Sequence, residues 1–340
     1  MSQTNQLSPV VSSHSTTSTH VHTSTHMGDH ETYYQSSVTS KRFPSTIARL
    51  LKPRKAFNHI RHVLHQELAE FFGMTVFIFF GTAVNCQVVL STNTGIASSP
   101  KGEFLSQTLG WGIGLAIGAW VSGGISGGHL NPAVTLAMAT WRGFPWRRVP
   151  GYIFAQLWGG IVGAGLVYGT YHEAINIFEG GRGRRTSATA SMFVTYALEY
   201  PSAATCFFTE FLGTAILVFT VMATTNKKLK VVAESVGLLP LALFLVLTGL
   251  SSAFGMQTSW AFNPARDFGP RVLLSFVGYG KQLYTYRNEY WIWCPIMAPF
   301  LGGQVAAAFY EVFVSGNWAD DEQISPIHSK KATMSNAVPV

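Results

Sequence analysis

The sequence contains few charged residues. Asp, Glu, Lys and Arg together make up 11% of its 340 residues, whereas hydrophobic residues make up 47%. Soluble domains carry about 25% charged residues, so this composition excludes a large soluble core or a pair of soluble domains. Charge is missing altogether from long stretches such as 71–90. Apolar stretches of about 18 or more residues are candidates to span a membrane.

Cysteine is also scarce. The three cysteines, Cys86, Cys206 and Cys294, lie in apolar segments and show no short-range spacing pattern. An odd number without such a pattern predicts neither a disulfide framework nor a metal site. The sequence also lacks a nucleophile–base pair and a phosphate-binding loop. We therefore expect no enzymatic activity, no cofactor and no bound metal.

The net charge of +7 comes from 23 Lys and Arg residues against 16 Asp and Glu. The aromatic residues lie inside apolar runs rather than among the basic ones, so we expect no nucleic-acid partner. Most Lys and Arg residues fall on one side of the predicted spans, which predicts cytoplasmic termini. Three arginines in one long loop run against this bias: Arg182, Arg184 and Arg185. The first 40 residues lack the apolar core of a signal peptide, so the first span is expected to direct insertion.

Six apolar runs follow a polar N-terminal tail. The tail, 1–56, is rich in Ser, Thr and His and turns basic near its end. It has too few large apolar residues to bury a core, and we expect it to be disordered in the cytoplasm. A six-span domain at 57–315 and a short cytoplasmic tail at 316–340 complete the chain. The predicted spans lie near 64–90, 106–125, 149–170, 206–224, 232–252 and 291–314.

Two further apolar stretches are too short to span a membrane. As helices, 131–140 and 263–274 would cover about 15–18 Å, roughly half of the hydrocarbon thickness. Asparagine is a favoured helix N-cap, and proline is favoured at the first helical position. Both stretches begin with this pattern, as Asn131, Pro132 and Ala133 and as Asn263, Pro264 and Ala265. The sequence therefore predicts two half-helices that begin near the membrane midplane.

The two halves of the domain resemble each other. AEFFG at 69–73 opens repeat one, about 64–170, and TEFLG at 209–213 opens repeat two, about 206–314. Three spans per repeat is an odd number, so the second repeat enters the membrane inverted. The prediction is an all-α membrane protein with six transmembrane helices and two re-entrant half-helices in an inverted repeat. The positive ends of both half-helices then meet in the centre, where they disfavour cations and protons.

The segments SGGHLNPAVT at 126–135 and FNPARDFGPR at 262–271 resemble the two signatures of the major intrinsic protein (aquaporin) family. The resemblance covers about 64–314 and implies the aquaporin fold. It also implies a passive pore in each subunit of a homotetramer, in contact with membrane lipids and expected in the plasma membrane. Asn131 and Asn263 are then expected to offer their NH2 groups to the lumen.

Several residues resemble the glycerol facilitator branch of that family, namely Asp267, Arg271, Pro295 and Ile296. The branch's selectivity filter corresponds to Trp111, Ser251, Trp260 and Arg266. The resemblance implies a channel for glycerol or similar small uncharged polyols and for water, which excludes protons and ions. Trp260 and Ser251 are larger than the Phe and Gly usual in the branch. We therefore expect a narrower ring, which Trp260→Phe or Ser251→Gly would open to glycerol.

Three polar residues in or beside the spans leave alternatives open. The resemblance implies that Glu70, Glu210 and His129 support the loops that lead into the half-helices. Buried carboxylates could instead relay protons, and a proton-coupled polyol symporter is one alternative. The other alternative is a water-selective aquaporin with little glycerol flux.

Overall fold

The computed structural model describes residues 62–226 and 238–315, which contain helices and loops and no strand. The helices are α1 His65–Leu90, α2 Phe104–Ser126, α3 Pro132–Trp141, α4 Val149–Phe178, α5 Ser187–Ala190, α6 Ala203–Thr224, α7 Leu238–Thr258, α8 Pro264–Phe276, α9 Gln282–Thr285, α10 Tyr290–Ile292 and α11 Ala298–Phe313. A 3-10 turn, Trp146–Arg148, precedes α4, and a π-helical turn, Trp293–Met297, joins α10 to α11. Six helical segments within these described ranges are long and apolar enough to cross a membrane. The prediction of an all-helical, six-span chain is confirmed.

Two spans differ from their predicted bounds. Helix α4 continues to Phe178 instead of ending near 170, because 170–179 contains no glycine or proline. Helix α7 continues to Thr258 instead of ending near 252. Its predicted start at 232 lies outside the described residues, as do the two predicted tails at 1–56 and 316–340.

The two half-helices, α3 and α8, contain 10 and 13 residues. At 1.5 Å per residue they are about 15 and 20 Å long, shorter than a hydrocarbon layer of about 30 Å. Each begins with proline, and the asparagine before it caps the helix. Asn131 Oδ1 accepts a hydrogen bond from the Ala133 amide at 2.9 Å, and Asn263 Oδ1 accepts one from the Ala265 amide at 3.0 Å.

The two repeats pack in equivalent ways. Helix α1 contacts α2 and α4, and α6 correspondingly contacts α7 and α11. Each half-helix packs against the other repeat, α8 against α4 and α3 against α11. Glycines permit close contact between helices at equivalent places, because a Cβ on Gly159 would lie 2.6 Å from Phe71 O and one on Gly302 would lie 2.1 Å from Phe211 O. The half-helices are therefore enclosed by spans of both repeats.

The sixth span is irregular at its proline. Pro295 is buried in the π-helical turn, and Ile296 beside it is half-buried. Proline has no backbone N–H to donate, and such wide turns accommodate an interruption inside a helix. Neither residue lines either of the two cavities described below. Pro295 and Ile296 therefore belong to the irregular turn of the sixth span and not to a cavity wall.

Candidate functional site

The N-termini of the two half-helices are joined by reciprocal hydrogen bonds. Asn131 Nδ2 donates to Phe262 O at 2.9 Å, and Asn263 Nδ2 donates to Leu130 O at 2.7 Å. Leu130 and Phe262 have φ angles of 49° and 46°, a left-handed conformation that costs roughly 1–3 kcal/mol in a residue other than glycine. The strained backbone turns each carbonyl toward the asparagine of the other repeat.

Both asparagines also line a cavity of about 130 Å³. We call it the inner cavity, because it extends toward Thr225, on the side predicted to face the cytoplasm. Its other walls are mainly apolar and include Phe77, Leu115, Val134, Leu217 and Leu243. An amide NH2 group has two donors, and the opposite half-helix uses one from each asparagine. The second N–H of each remains for a molecule in the cavity.

Glu70 holds the loop that enters α3. Its Oε1 accepts from the Ser126 hydroxyl at 2.6 Å and from the His129 amide at 2.9 Å. Its Oε2 accepts from the Leu130 amide at 2.7 Å and from Gln156 Nε2 at 2.8 Å. Both carboxylate oxygens are therefore occupied by the loop and its neighbours, and this carboxylate binds backbone rather than facing a cavity.

Glu210 has the equivalent position in the second repeat. Its Oε1 accepts from the Ala261 amide at 3.0 Å, and its Oε2 accepts from the Phe262 amide at 2.7 Å. The left-handed residue of each repeat, Leu130 or Phe262, is thus held by a buried carboxylate. These bonds stabilise the strained backbone that presents the two carbonyls to the asparagines.

His129 lies beside the first half-helix and lines the inner cavity. Its Nδ1 is 3.2 Å from the Thr135 hydroxyl. Its ring packs against Phe144 and Tyr152, with centroid distances of 4.8 and 5.2 Å. The histidine therefore has contacts with both the half-helix and the segment that follows it.

Arg266 lines a second, larger cavity of about 690 Å³ on the other side of the asparagines. We call this the outer cavity, and Arg266 is the one charged residue among the described residues that line it. The guanidinium carbon lies 3.8 Å from the ring centroid of Trp111, and Nη1 donates to Phe193 O at 3.2 Å. A desolvated cation–π contact contributes about 2 kcal/mol or more. The charge is therefore held in one place, between an aromatic face and a loop carbonyl.

Two buried donors at this site have no partner within the described parts of the chain: Arg266 Nε and Trp260 Nε1. A buried donor without an acceptor costs roughly 1–3 kcal/mol. Both residues line the outer cavity. The arrangement therefore suits a passing molecule that brings oxygen acceptors, such as water or an alcohol.

The two other predicted filter residues, Trp260 and Ser251, differ in whether they line the outer cavity. Trp260 packs edge-on against Phe104, with centroids 5.5 Å apart, and fits over Gly255, where a Cβ would lie 2.4 Å from Trp260 Cε3. Ser251 is buried, donates to Leu247 O at 2.7 Å and lines neither cavity. The structure thus brings Trp111 and Trp260 to Arg266, while the Ser251 hydroxyl bonds within its own helix. Phe104 and Gly255 were not predicted, since no motif marks them.

The back of the Trp111 ring lies directly on Gly81 of α1. A Cβ on Gly81 would be 2.2 Å from Trp111 Cε3, and Phe77 packs edge-on at a centroid distance of 5.5 Å. Trp111 itself is fully buried. The first span therefore supports the wall on which Arg266 rests.

Gly81→Ala is expected to push the Trp111 ring toward Arg266 and to lower the stability by about 1–3 kcal/mol, the usual cost of overpacking. Thermal unfolding in detergent would measure the loss. Gly169→Ala is the matched control, because a Cβ there would meet nothing within 4 Å. Equal behaviour of the two variants would contradict the wall described here.

Asp267 and Arg271 form a buried ion pair, in which Arg271 Nε donates to Asp267 Oδ2 at 2.8 Å. Asp267 Oδ1 also accepts from the Thr195 amide at 2.7 Å. Arg271 donates to Thr195 O at 3.0 Å and to Leu283 O at 2.5 Å. Neither residue lines either cavity. The pair ties the loop that carries Phe193 O to α8, and so acts on Arg266 through that loop.

The same outer loop is anchored a second time near α5. The Glu179 carboxylate accepts from the Thr186 amide at 2.9 Å and from the Thr189 hydroxyl. The Thr189 and Tyr279 hydroxyls are 2.9 Å apart. Burial raises the pKa of Tyr279 well above its ordinary value, so this phenol stays protonated at physiological pH. The loop next to Arg266 is therefore held by polar contacts at both of its ends.

Comparisons with known proteins agree with this geometry. The family model described as Major intrinsic protein matches residues 58–310. The chain is 57% identical to Aquaporin-7-1 of Laccaria bicolor, over 81% of this chain and 80% of that protein. It is 41% identical to Probable aquaglyceroporin-2 of Gibberella zeae, over 76% and 75%. The X-ray structure of the aquaglyceroporin from Plasmodium falciparum superimposes with a TM-score of 0.65 at 30% identity, over 74% of this chain and 96% of that one.

Proposed function

Because the chain belongs to the major intrinsic protein family, and is therefore a multi-pass membrane channel and not an enzyme, we propose that it conducts glycerol or similar small uncharged polyols together with water. The driving force is the gradient of the solute. The proposed pore leads from the outer cavity past Arg266 and the two asparagines into the inner cavity.

The observation that carries the polyol proposal is the pair of unpartnered buried donors, Arg266 Nε and Trp260 Nε1, on a cavity that the Trp260 and Phe104 rings also line. A polyol has hydroxyl oxygens along one side and C–H groups along the other. Fixed donors suit the oxygens, and aromatic faces suit the C–H side. The relative named an aquaglyceroporin supports the same solute class.

The exclusion of protons and ions follows from the positive groups on this path. Each half-helix N-terminus carries roughly half an elementary charge, and both point at the same place between the cavities. The Asn131 and Asn263 N–H groups require a passing water to turn its oxygen toward them. Arg266 adds a full charge nearby. A chain of water molecules is interrupted here, while single neutral molecules pass.

Light scattering of purified proteoliposomes tests the proposal. A sorbitol shock measures water exit, and a glycerol shock measures exit followed by re-swelling as glycerol enters. We expect both processes to be faster than in empty vesicles. Fast water exit without re-swelling would identify a water-selective channel, and impermeability to both would contradict the proposal.

Trp260→Phe is expected to raise the glycerol permeability by a factor of roughly two to ten. The smaller ring removes bulk from the wall that Gly255 and Phe104 support, and Arg266 Nε remains as a donor for the solute after the indole N–H is lost. The same re-swelling assay, normalised to the amount of protein per vesicle, measures the change. Trp158→Phe is the matched control, because Trp158 is 47% exposed on the outside of the helical domain. Unchanged or slower glycerol entry in Trp260→Phe would rule out Trp260 as a limiting part of the ring.

The contacts of Glu70 and Glu210 weigh against a proton-coupled symporter. Both carboxylates accept hydrogen bonds from the loops of the half-helices on both of their oxygens. Neither residue lines either cavity. Glycerol accumulation against its gradient that collapses with an uncoupler would favour the symporter instead.

We further propose a homotetramer in the plasma membrane with cytoplasmic termini. A Cβ on Gly123 or Gly124 would meet nothing within 4 Å, so this part of α2 leaves room for close packing by a neighbouring subunit, as small residues do between membrane helices. Cross-linking in native membranes would show the number of subunits. Protease access to the N-terminal tail would show its side.

A further inference from the structure

A polar side chain of the first span, Asn85, lies behind the filter. Asn85 is one helical turn after Gly81 on α1, is 6% exposed and lines the outer cavity. Polar groups inside a membrane span are costly unless they are hydrogen-bonded. The hydrogen-bond partners of the Asn85 amide therefore show which groups stabilise it inside the span.

The Asn85 amide makes two hydrogen bonds, one to each part of the filter's support. The Trp111 indole N–H donates to Asn85 Oδ1 at 3.2 Å, and Asn85 Nδ2 donates to Met192 O at 3.0 Å. The next residue, Phe193, supplies the carbonyl that accepts from Arg266 Nη1. One amide thus links the indole below the guanidinium to the loop that holds the guanidinium from the side.

We propose that Asn85 is a positioning residue that determines solute specificity, by holding the Trp111 indole N–H away from the permeating molecule. The ring then keeps one orientation between Gly81 and the Arg266 guanidinium, which lie against its two faces. The solute finds donors at Arg266 and Trp260 and an apolar surface on the Trp260 and Phe104 rings, which line the outer cavity. A polyol is therefore oriented by one polar side and one apolar side of the filter.

Loss of the Asn85 acceptor changes this arrangement in a defined way. With an apolar residue at position 85, the indole N–H is buried without a partner unless the ring turns toward the lumen. The ring is pressed between Gly81 and the guanidinium, so any turn also moves Arg266. The filter then discriminates less sharply between polyols of different length.

The test compares glycerol with the five-carbon polyol ribitol in proteoliposomes. For Asn85→Leu, which is nearly isosteric, we expect the glycerol-to-ribitol permeability ratio to fall at least threefold, while water permeability per channel changes less than twofold. Gln87→Leu is the matched control, since it removes an exposed amide of the same helix that contacts Tyr171 and not the filter. This control should leave the ratio unchanged.

The same substitution made in a Trp111→Phe variant distinguishes positioning of Trp111 from general support of the fold. Trp111→Phe has no indole N–H, so adding Asn85→Leu to it should change the ratio by less than 1.5-fold. An equal fall in both backgrounds, or no fall in the native one, would overturn the proposal. If Asn85→Leu does not give folded protein by size exclusion, Asn85→Ser takes its place. The glycerol-to-ribitol ratio is again expected to fall in the native background and not in Trp111→Phe.

This inference rests on the proposed solute class, and the two can fail separately. Wild-type vesicles that pass water but neither polyol would refute the polyol function. In that case the role of Asn85 is measured through water permeability. A fall of up to twofold with Asn85→Leu in the native background and none in Trp111→Phe supports positioning, whereas equal changes or no change in either background oppose it.

Discussion

Replacing Asp267 with alanine is expected to destabilise the protein by about 3–5 kcal/mol, because it leaves the Arg271 guanidinium buried without its counter-charge. The two side chains are 0% and 1% exposed. A loss of this size is a large part of the stability of a typical protein. We expect little or no folded protein after extraction in detergent, as measured by size exclusion and thermal unfolding.

The double variant Asp267→Ala/Arg271→Leu separates the charge from the hydrogen bonds. Removing both charges is expected to recover part of the stability, because no unpaired ion remains in the interior. Recovery is partial, since Thr195 and Leu283 lose bonds to the pair. Glu173→Ala is the control for loss of an exposed carboxylate, which contacts Arg182 at 4.0 Å and is 70% exposed. A single variant as stable as this control would contradict a stabilising role for the buried pair.

Replacing Arg266 with methionine is expected to raise proton and small-cation conductance on the order of tenfold or more. At about 4 Å, two like charges repel by roughly 4 kcal/mol at the effective dielectric typical of protein surfaces. The variant removes this barrier, while the positive ends of α3 and α8 remain. Vesicles that contain a pH-sensitive dye, held under a potential, would report the proton flux.

The control for this experiment is Arg184→Met. Arg184 is exposed and lies outside both cavities, so its loss lowers the charge of the chain without altering the pore. Proton flux in this variant should equal that of the native protein. If Arg266→Met remains as tight to protons as Arg184→Met, the half-helix ends alone account for proton exclusion.

The residues that resemble the glycerol facilitator branch have a physical role in this structure. Asp267 and Arg271 do not line either cavity. They instead fix the loop whose Phe193 carbonyl accepts from Arg266. The two residues that resemble the branch pattern are therefore connected to the proposed filter through the outer loop.

The half-helices were predictable from short stretches of sequence. Asparagine followed by proline contains the information for a helix start, since the cap and the first helical residue are neighbours in the chain. In the structure, the side-chain oxygens of Asn131 and Asn263 cap their helices, as this pattern predicts. The bond from one N–H of each asparagine to the other half-helix was not predictable from the sequence, because it joins residues more than 130 positions apart.

The support of the filter was not predictable in the same way. Asn85 is a single amide in an apolar run, and Gly81 is one glycine among 33 in the chain. Their significance depends on the position of Trp111, which lies on another helix. Spacing along the chain predicted Ser251 in the ring, which stays a prediction; the bond from its hydroxyl to Leu247 O within α7 is visible only in the structure.

The sequence by itself determined the number of spans, the two half-helices and the inverted repeat, because apolar length and helix caps are local properties of the chain. Only the tertiary structure decided which groups surround the filter. The stacking of Arg266 on Trp111, the amide of Asn85 behind it and the ion pair of Asp267 with Arg271 that holds the outer loop all involve several separate segments. Burial makes each of these contacts strong, and burial results from packing the two repeats around one another.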